Sequence, residues 1–228
     1  MRSLRREILS LVLIVAAFAF SAALYPRLPQ SLPTHWNIHG QPDGFTDKPW
    51  GPFVVPLLMT GLYLLLLVLP RISPKGYRFE AFLGVWEIVR TAILAFLFLV
   101  HLLVLLSATG VRVEMDRAIP VGTGLLLVLL GNYMAKLTKN FFIGIRTPWT
   151  LASDEVWLRT HRLGGKLFVL AGLVCFVSGL AGGSLVPAIA AVAAAGLASF
   201  VYSYVIYRRI EGFKDSEPPL TSGGPSGS

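Results

Sequence analysis

The sequence predicts an all-α, polytopic membrane protein with six transmembrane helices, cytoplasmic amino and carboxyl termini, and a small hairpin loop outside the cytoplasm. Three observations predict this fold class. The 228 residues are 54% hydrophobic and only 14% charged, whereas about a quarter of the residues in a soluble domain are charged. Six apolar stretches are about long enough to cross a bilayer. Lysines and arginines are concentrated in alternate connecting segments, which is typical of membrane proteins with a fixed orientation.

The six predicted spans are runs of about 20 mostly apolar residues, since each helical residue advances about 1.5 Å across a core of about 30 Å. Runs of this length favour helices, which satisfy their own backbone in lipid. The first run resembles a signal peptide, but its removal would leave an odd number of spans, so we expect it to be retained. The spans are Ile8–Leu24, Pro52–Leu69, Phe82–Ala108, Ile119–Leu137, Lys166–Leu180 and Leu185–Tyr207.

The orientation follows from the basic residues. With the amino terminus inside, fifteen lysines and arginines lie in inner segments and four in outer ones. This distribution predicts cytoplasmic termini. It also explains the net charge of +8 by topology and by contact with membrane lipid, so no direct binding of nucleic acid is expected. A single cysteine, Cys175, excludes a disulfide framework within the chain.

The loop between the first two spans is too long to be a simple connector. Residues 34–38 alternate as in a strand, and Pro42-Asp43-Gly44 is typical turn sequence. We therefore expect a small ordered hairpin. His35, His39 and Asp43 are conceivable zinc ligands, and hydrogen bonds that fix the hairpin are the alternative role. Zinc is the one possible cofactor, and no other is expected.

The third span contains three ionisable residues, Glu87, Arg90 and His101, on one helical face. Such groups cost several kcal/mol in lipid, so they normally face the bundle interior, pair with one another or mark a functional path. Glu87 and Arg90 are three residues apart and can pair directly. His101 lies towards the outer end, where it is expected to meet water.

The segment between the fourth and fifth spans combines aromatic, basic and amide side chains. Pro148 ends any helix and Ser153 is a suitable N-cap. A short amphipathic helix is therefore expected at about Asp154–Leu163, before Gly164-Gly165 lets the chain turn into the fifth span. Interfacial anchoring and partner binding are both consistent with the candidate residues, which are Asn140, Gly144, Arg146, Trp149, Trp157 and His161.

These two loops together resemble bacterial membrane proteins of the SdpI family. The carboxy-terminal half is similar through Asn140, Gly144-Ile145-Arg146-Thr147-Pro148-Trp149-Thr150, Ser153, Trp157, His161 and Arg162. The amino-terminal half resembles a small domain of unknown function often found with that family, through Leu32-Pro33, His35-Trp36-Asn37, Gly40 and Asp43. We expect these two domains at residues 1–80 and 81–210, followed by a disordered tail at 211–228.

The resemblance implies an integral protein of the bacterial cytoplasmic membrane that gives immunity to a secreted toxic peptide and transmits a signal, holding a cytosolic repressor at the membrane. It implies no catalytic residues, so no enzymatic activity is expected. Peptide or partner contacts are expected outside at His35, Trp36, Asn37 and Asp43, and inside at the six candidate residues of the inner segment.

Two other functions stay open. A small transporter would use Glu87, Arg90 and His101. A metal-dependent membrane hydrolase would use acidic or histidine side chains, namely His35, His39, Asp43, Asp47 or Glu87. The sequence contains no HExxH or GxSxG signature for a hydrolase.

Overall fold

The computed structural model describes residues 2–37, 40–74, 79–182 and 185–212. Six long helices, one short helix and a two-stranded hairpin make up the described chain. The predicted tail lies outside the described residues from position 213 onward. The helices are α1 (Arg2–Leu24), α2 (Val54–Val68), α3 (Leu83–Ala108), α4 (Met115–Met134), α5 (Pro148–Ala152), α6 (Asp154–Ala181) and α7 (Val186–Ile210), and the strands are β1 (Ser31–Trp36) and β2 (Pro42–Asp47).

The six long helices are each long and apolar enough to cross a membrane, which confirms the predicted all-α fold with six transmembrane helices. The predicted orientation of the termini stays a prediction. Large apolar side chains such as Val15, Leu170 and Leu197 are at least 60% exposed on their outer surfaces. In a bilayer these side chains contact lipid. Because successive long helices cross the bundle in opposite directions, the β-hairpin lies at one end, the hairpin end. The segment 135–153 lies at the other, the loop end.

The fifth spanning helix differs from its prediction. The sequence predicts a separate amphipathic helix that ends near Leu163 and a turn at Gly164-Gly165, but α6 continues through both glycines to Ala181. Both glycines are buried, and the missing side chains let α6 lie directly against its neighbours. A Cβ on Gly165 would stand 2.7 Å from the carbonyl oxygen of Gly131 in α4. These glycines therefore serve helix packing and not a chain reversal.

Glycines recur along the line of contact between α4 and α6. Gly124 and Gly131 of α4 are seven residues apart, and so are Gly165, Gly172 and Gly179 of α6. A Cβ on Gly124 would lie 2.5 Å from the carbonyl oxygen of Gly172, and a Cβ on Gly172 would lie 2.7 Å from that of Gly124. Small residues at a seven-residue period bring two helix backbones into direct contact along their length.

Polar side chains join α1, α2 and α3 instead. Near the loop end, Glu7 accepts from the guanidinium of Arg90 and, at 2.8 Å, from the hydroxyl of Tyr63. The hydroxyls of Ser10 and Thr91 lie 3.1 Å apart one turn further along. A second polar group lies nearer the hairpin end, and an apolar cluster separates the two. The central residues of that cluster are Ile14, Ala17, Met59 and Leu94.

The hairpin pairs β1 with β2 in antiparallel register, from Ser31 opposite Asp47 to Trp36 opposite Pro42. The chain reverses between Asn37 and Gln41, whose backbone nitrogen donates to the Asn37 side chain. The predicted turn sequence at positions 42–44 therefore begins β2 instead. A positive φ of 71° at Gly40 supplies the reversal that an ordinary residue disfavours.

The base of the hairpin is fastened to the rest of the bundle. Leu32 of β1 is fully buried against Leu28 and Leu105. The Nζ atom of Lys48 donates to the carbonyl oxygens of Tyr25 at 2.8 Å and Leu28 at 2.7 Å. The hairpin is thus held against the ends of α1 and α3, where it covers the helices beneath it.

Candidate functional sites at the two ends of the bundle

A cavity of about 300 Å³ lies beneath the hairpin. The hairpin forms its roof, and the adjoining ends of α2, α3, α4 and α7 form its walls. The walls are mainly apolar, as is typical of ligand pockets that place a few polar groups at chosen points. Those polar groups include Thr34, His35, Asn37, His101 and Asp116. We call this space the hairpin cavity.

The roof carries the predicted residues His35, Trp36 and Asn37, all of which line the cavity. The Nδ1 atom of His35 lies 2.5 Å from a carboxylate oxygen of Asp43 on the paired strand. Their side chains are 72% and 44% exposed. The predicted hydrogen-bonding role in the hairpin is therefore present for these two residues.

Of the three predicted zinc ligands, the structure describes His35 and Asp43. His39 lies outside the described residues, so the arrangement of His35, His39 and Asp43 around a metal stays a prediction. In residues 2–37, 40–74, 79–182 and 185–212, no group of three His, Cys, Asp or Glu side chains converges as a metal site.

The tip of the hairpin rests on the start of α4. A Cβ on Gly40 would lie 2.9 Å from the Cβ of Asp116, so the hairpin backbone is in direct contact with that residue. Asp116 lies in the first turn of α4 and lines the cavity. The sequence does not predict it, because its place in a site depends on how Gly40 of the hairpin folds over a helix residue 76 positions later.

His101 forms part of the cavity floor. Only 1% of its surface is exposed, and its Nε2 atom lies 3.0 Å from the hydroxyl of Ser21 and 3.1 Å from the carbonyl oxygen of Ala17. The expectation that it meets water at the outer end is wrong, since α1 covers it. The hydroxyl of Ser21 also donates to the carbonyl oxygen of Pro52 at 2.6 Å. His101 thus connects the cavity to α1 and, through Ser21, to the start of α2.

Arg90 has a partner that its sequence neighbourhood does not reveal. The guanidinium, 3% exposed, forms an ion pair with Glu7 of α1, 83 residues away, and lies over the ring of Tyr63. Glu87 is half-buried on the same helix. Arg90 and His101 therefore face the bundle interior, as predicted for the ionisable residues of α3. The sequence does not reveal that the partner of Arg90 is Glu7.

At the loop end, Asn140 organises the segment 135–153. Its side chain is fully buried. The Oδ1 atom accepts from the backbone nitrogens of Phe142 and Ile143 at 2.9 and 2.8 Å, and the Nδ2 atom donates to the carbonyl oxygen of Thr138 at 3.0 Å. One amide thus replaces the backbone hydrogen bonds that an irregular segment lacks.

His161 of α6 holds the next part of that segment. Its Nδ1 atom lies 2.8 Å from the carbonyl oxygen of Trp157, so that nitrogen donates. Its Nε2 atom accepts from the backbone nitrogen of Ile145 at 3.0 Å. Gly144 makes this contact possible, because its φ is +109° and a Cβ there would lie 2.3 Å from the same Nε2 atom. The Trp157 ring stacks on His161 and donates to the carbonyl oxygen of Leu137 at 2.7 Å.

Hydroxyl groups close the segment at its far side. Thr147 and Thr150 form a reciprocal capping box at the start of α5, and Thr147 also lies 3.0 Å from the hydroxyl of Ser203 on α7. Ser153 ends α5 and caps α6, and its hydroxyl donates to Glu211 at 2.6 Å. Trp149 packs edge-on against Phe200 and Tyr204 of α7.

The six residues predicted to bind a partner at the loop end therefore divide by exposure. Asn140, Trp157 and His161 are buried and hydrogen-bonded within the chain. Trp149 is half-buried and Gly144 is exposed. Arg146 is exposed, and its guanidinium donates to the carbonyl oxygen of Phe141, itself 48% exposed. In this conformation a partner can reach the Arg146 and Phe141 surface, while the buried residues set its shape.

Two family models match the two parts of the chain that contain the loop end and the hairpin. A family model described as the SdpI/YfhL protein family matches residues 136–203, and one described as a domain of unknown function, DUF1648, matches residues 12–60. The first match covers the loop end with α6 and most of α7. The second covers most of α1, the hairpin and the start of α2.

Two proteins of Bacillus subtilis (strain 168) are similar to the chain. "Immunity protein SdpI" is 29% identical over 211 residues, which cover 92% of this chain and 99% of that protein. "Uncharacterized membrane protein YbgB" is 37% identical over 46 residues, which cover 20% of this chain and 50% of that protein. No solved structure matches the chain at a significant level. Residues 136–203 are thus similar to the SdpI/YfhL family, and nearly the whole chain is similar to an immunity protein. The six long apolar helices are those of a multi-pass membrane protein.

Proposed function

We propose that this chain is an immunity and signalling protein of the bacterial cytoplasmic membrane. The hairpin cavity faces outward and takes an apolar part of a secreted toxic peptide, and the loop end reports its occupancy to a cytosolic repressor. The hairpin cavity is the observation that carries the proposal, since it is a partly enclosed, mainly apolar space at one end of a bundle of apolar helices. The full-length similarity to an immunity protein supports it.

The chemistry of the cavity suits a peptide. At about 300 Å³ it is at the small end of ligand pockets, so it accommodates one or two large apolar side chains and not a whole peptide. His35, Asp43 and Asn37 stand at or beside the hairpin roof, where they offer donors and acceptors to a peptide backbone. Apolar side chains would then supply most of the affinity, and the roof would supply orientation.

Signal transfer requires that the peptide binds two conformations of the bundle with different affinity. The cavity is lined by Met115, Asp116 and Ile119 at the start of α4, and the other end of α4 continues directly into the segment 135–153. A small displacement of the start of α4 would therefore reach the Arg146 surface through one helix. Arg146 and Phe141 are the residues through which the repressor would recognise the loop end.

The orientation is tested by cysteine labelling in intact cells. Cys175 is 2% exposed, and a Cys175→Ala background removes it. Ser31→Cys in the hairpin and Phe141→Cys at the loop end both place a thiol on an exposed residue. A membrane-impermeant maleimide should label only the hairpin thiol before lysis and both thiols after it. Labelling of both thiols, or of neither, in intact cells would contradict the proposal.

Immunity is tested by deleting the gene and measuring survival against secreted-peptide fractions from the same bacterium. The unmodified gene should restore survival, whereas Val100→Trp, which fills the cavity, should not. Leu106→Trp is the matched control, because Leu106 lies on the same helix, is 40% exposed and does not line the cavity. Equal survival of the deletion and parent strains in every fraction would argue against immunity.

A small transporter is the second candidate, and the ion pair between Arg90 and Glu7 inside the bundle favours it. Charged groups within spanning helices commonly mark transport paths. Flux of ions or peptides in proteoliposomes that disappears in Glu7→Gln would support transport over immunity by binding alone.

A further inference from the structure

The glycine contact between α4 and α6 leaves a cleft on the bundle surface at the loop end. Gly131 and Gly165, whose backbones are in direct contact, lie at the base of this cleft. Its space, about 450 Å³, is bordered by Asn132 on α4 and by Arg162, Lys166 and Val169 on α6. We call it the α4–α6 cleft.

Two cations line this cleft without an acidic partner among the described residues. Arg162 and Lys166 are four residues apart, so they project from the same face of α6. Two nearby cations are neutralised, since Arg159 pairs with Glu155 and Lys139 pairs with Asp154. The positive charge that remains at this end of α6 is therefore concentrated at the cleft.

The cleft lies at the depth of phospholipid headgroups. The 28 residues of α6 are about 42 Å long at 1.5 Å per residue, whereas the hydrocarbon core needs about 30 Å. The charged residues of α6 all lie at the loop end, so the surplus of about 12 Å, or eight residues, belongs there. It places Arg162 at the boundary between headgroups and acyl chains, and Lys166 about one turn inside, from where its long side chain reaches back to the boundary. Val169 continues the cleft with an apolar surface on the side towards the bilayer centre.

We propose that the α4–α6 cleft binds the phosphate of an anionic phospholipid headgroup between Arg162 and Lys166. A phosphate offers several acceptors, and a guanidinium and an ammonium form charge-assisted hydrogen bonds with it. Asn132 lies opposite the two cations and contributes a polar wall. The first acyl carbons of the lipid then lie along Val169. Basic pockets between helices at a membrane surface bind anionic headgroups by this chemistry.

The test is native mass spectrometry of the full-length protein released from nanodiscs that contain phosphatidylglycerol and phosphatidylcholine. The unmodified protein should retain phosphatidylglycerol in preference to phosphatidylcholine. The double variant Arg162→Gln/Lys166→Gln should lower that retention by about tenfold or more, because it removes both charge-assisted contacts to the phosphate. Lys166→Arg keeps the charge and should keep the lipid.

Arg159→Gln is the matched control, because it removes a cation from the same helix that is already paired with Glu155. It should retain phosphatidylglycerol like the unmodified protein. Thermal unfolding of each variant checks that the exposed substitutions leave the fold intact.

Three outcomes would overturn the proposal. If the unmodified protein and the double variant retain phosphatidylglycerol equally, the two cations do not form a lipid site. If Arg159→Gln loses as much phosphatidylglycerol as the double variant, retention depends on general surface charge and not on the cleft. If glycerol phosphate binds the cleft in lipid-free detergent as tightly as phosphatidylglycerol does, the occupant is a soluble phosphate ester and not a lipid.

Discussion

The two halves of the bundle are held together in different ways. Between α1, α2 and α3, the contacts include an ion pair, hydroxyl pairs and a buried histidine, represented by Glu7–Arg90, Ser10–Thr91 and Ser21–His101. Between α4 and α6, glycines such as Gly124 and Gly172 bring backbone against backbone. Lipid is as apolar as the side chains it touches, so burying apolar side chains between helices does not by itself stabilise either half. The first half uses polar contacts between helices instead, and the second uses close backbone packing.

This difference bears on which half can change shape. A polar contact has alternative partners and can be exchanged for others, whereas a glycine contact packs rigid backbones and leaves no room for adjustment. The hairpin cavity adjoins the polar half through His101 and Ser21. The loop end is built on the glycine half, where His161 and Asn140 fix one backbone conformation. We therefore expect movement to originate near the cavity and to be transmitted by a stiff α4–α6 pair.

Removal of Arg90 should have the largest effect on stability. Arg90→Met leaves the Glu7 carboxylate without its ion-pair partner, and losing one member of a buried pair costs about 3 to 5 kcal/mol. Because Glu7 is 30% exposed, we expect about 3 kcal/mol. The free energy of unfolding is measured by SDS titration in mixed micelles, followed by circular dichroism. The double variant Glu7→Leu/Arg90→Met should recover part of the loss, and a double variant as unstable as the sum of the singles would contradict the pairing.

A methyl group in the glycine contact should have the next largest effect. Gly172→Ala places a Cβ 2.7 Å from the carbonyl oxygen of Gly124, and overpacking of this kind costs about 1 to 3 kcal/mol. Gly61 and Gly196 are matched controls, one in each half, because a Cβ at either position meets nothing within 4 Å. Alanine there should be neutral or should stabilise by up to about 1 kcal/mol. The free energy of unfolding of the three alanine variants is measured in the same assay. Equal losses of stability at Gly172, Gly61 and Gly196 would show that the glycine contact does not stabilise the bundle.

Removal of a single hydroxyl should have the smallest effect. Ser10→Ala breaks a 3.1 Å contact with Thr91, and hydrogen bonds between membrane helices contribute about 0.6 kcal/mol on average. The double-mutant cycle with Thr91→Val should give a coupling energy of that size. A coupling as large as that of the Arg90 pair would mean that the polar half is stabilised by its hydroxyls as much as by its charges.

The fold could be predicted from the sequence because its main signals are local. Apolar runs of sufficient length identify all six spans, and alternation around His35 identifies the hairpin. Proline and glycine at positions 42–44 predict the turn there, because both residues favour turns. The Asn37 side chain and the positive φ of Gly40 put it at 37–41 instead. Competing turn signals a few residues apart are distinguished only by the pairing of the strands around them.

The long-range contacts could not be predicted, although some left traces in the sequence. Glycines at a seven-residue period in α4 and α6 are visible, but the sequence does not say which helices are neighbours. Glu7 lies in a basic amino-terminal segment, and nothing there indicates a partner 83 residues away. The burial of His161 follows from how the segment 135–153 folds over α6, and a histidine pattern cannot distinguish a buried acceptor from an exposed ligand.

Three segments of the chain meet at the hydroxyl of Ser153. It ends α5, caps α6 through the backbone nitrogen of Val156, and donates to Glu211 just beyond α7. A protein shortened before Glu211 would lose that anchor and loosen the corner that carries Arg146, while one shortened after Gly212 would keep it. Reporter domains fused to the carboxyl end should therefore be attached beyond this point if the corner is to stay as it is.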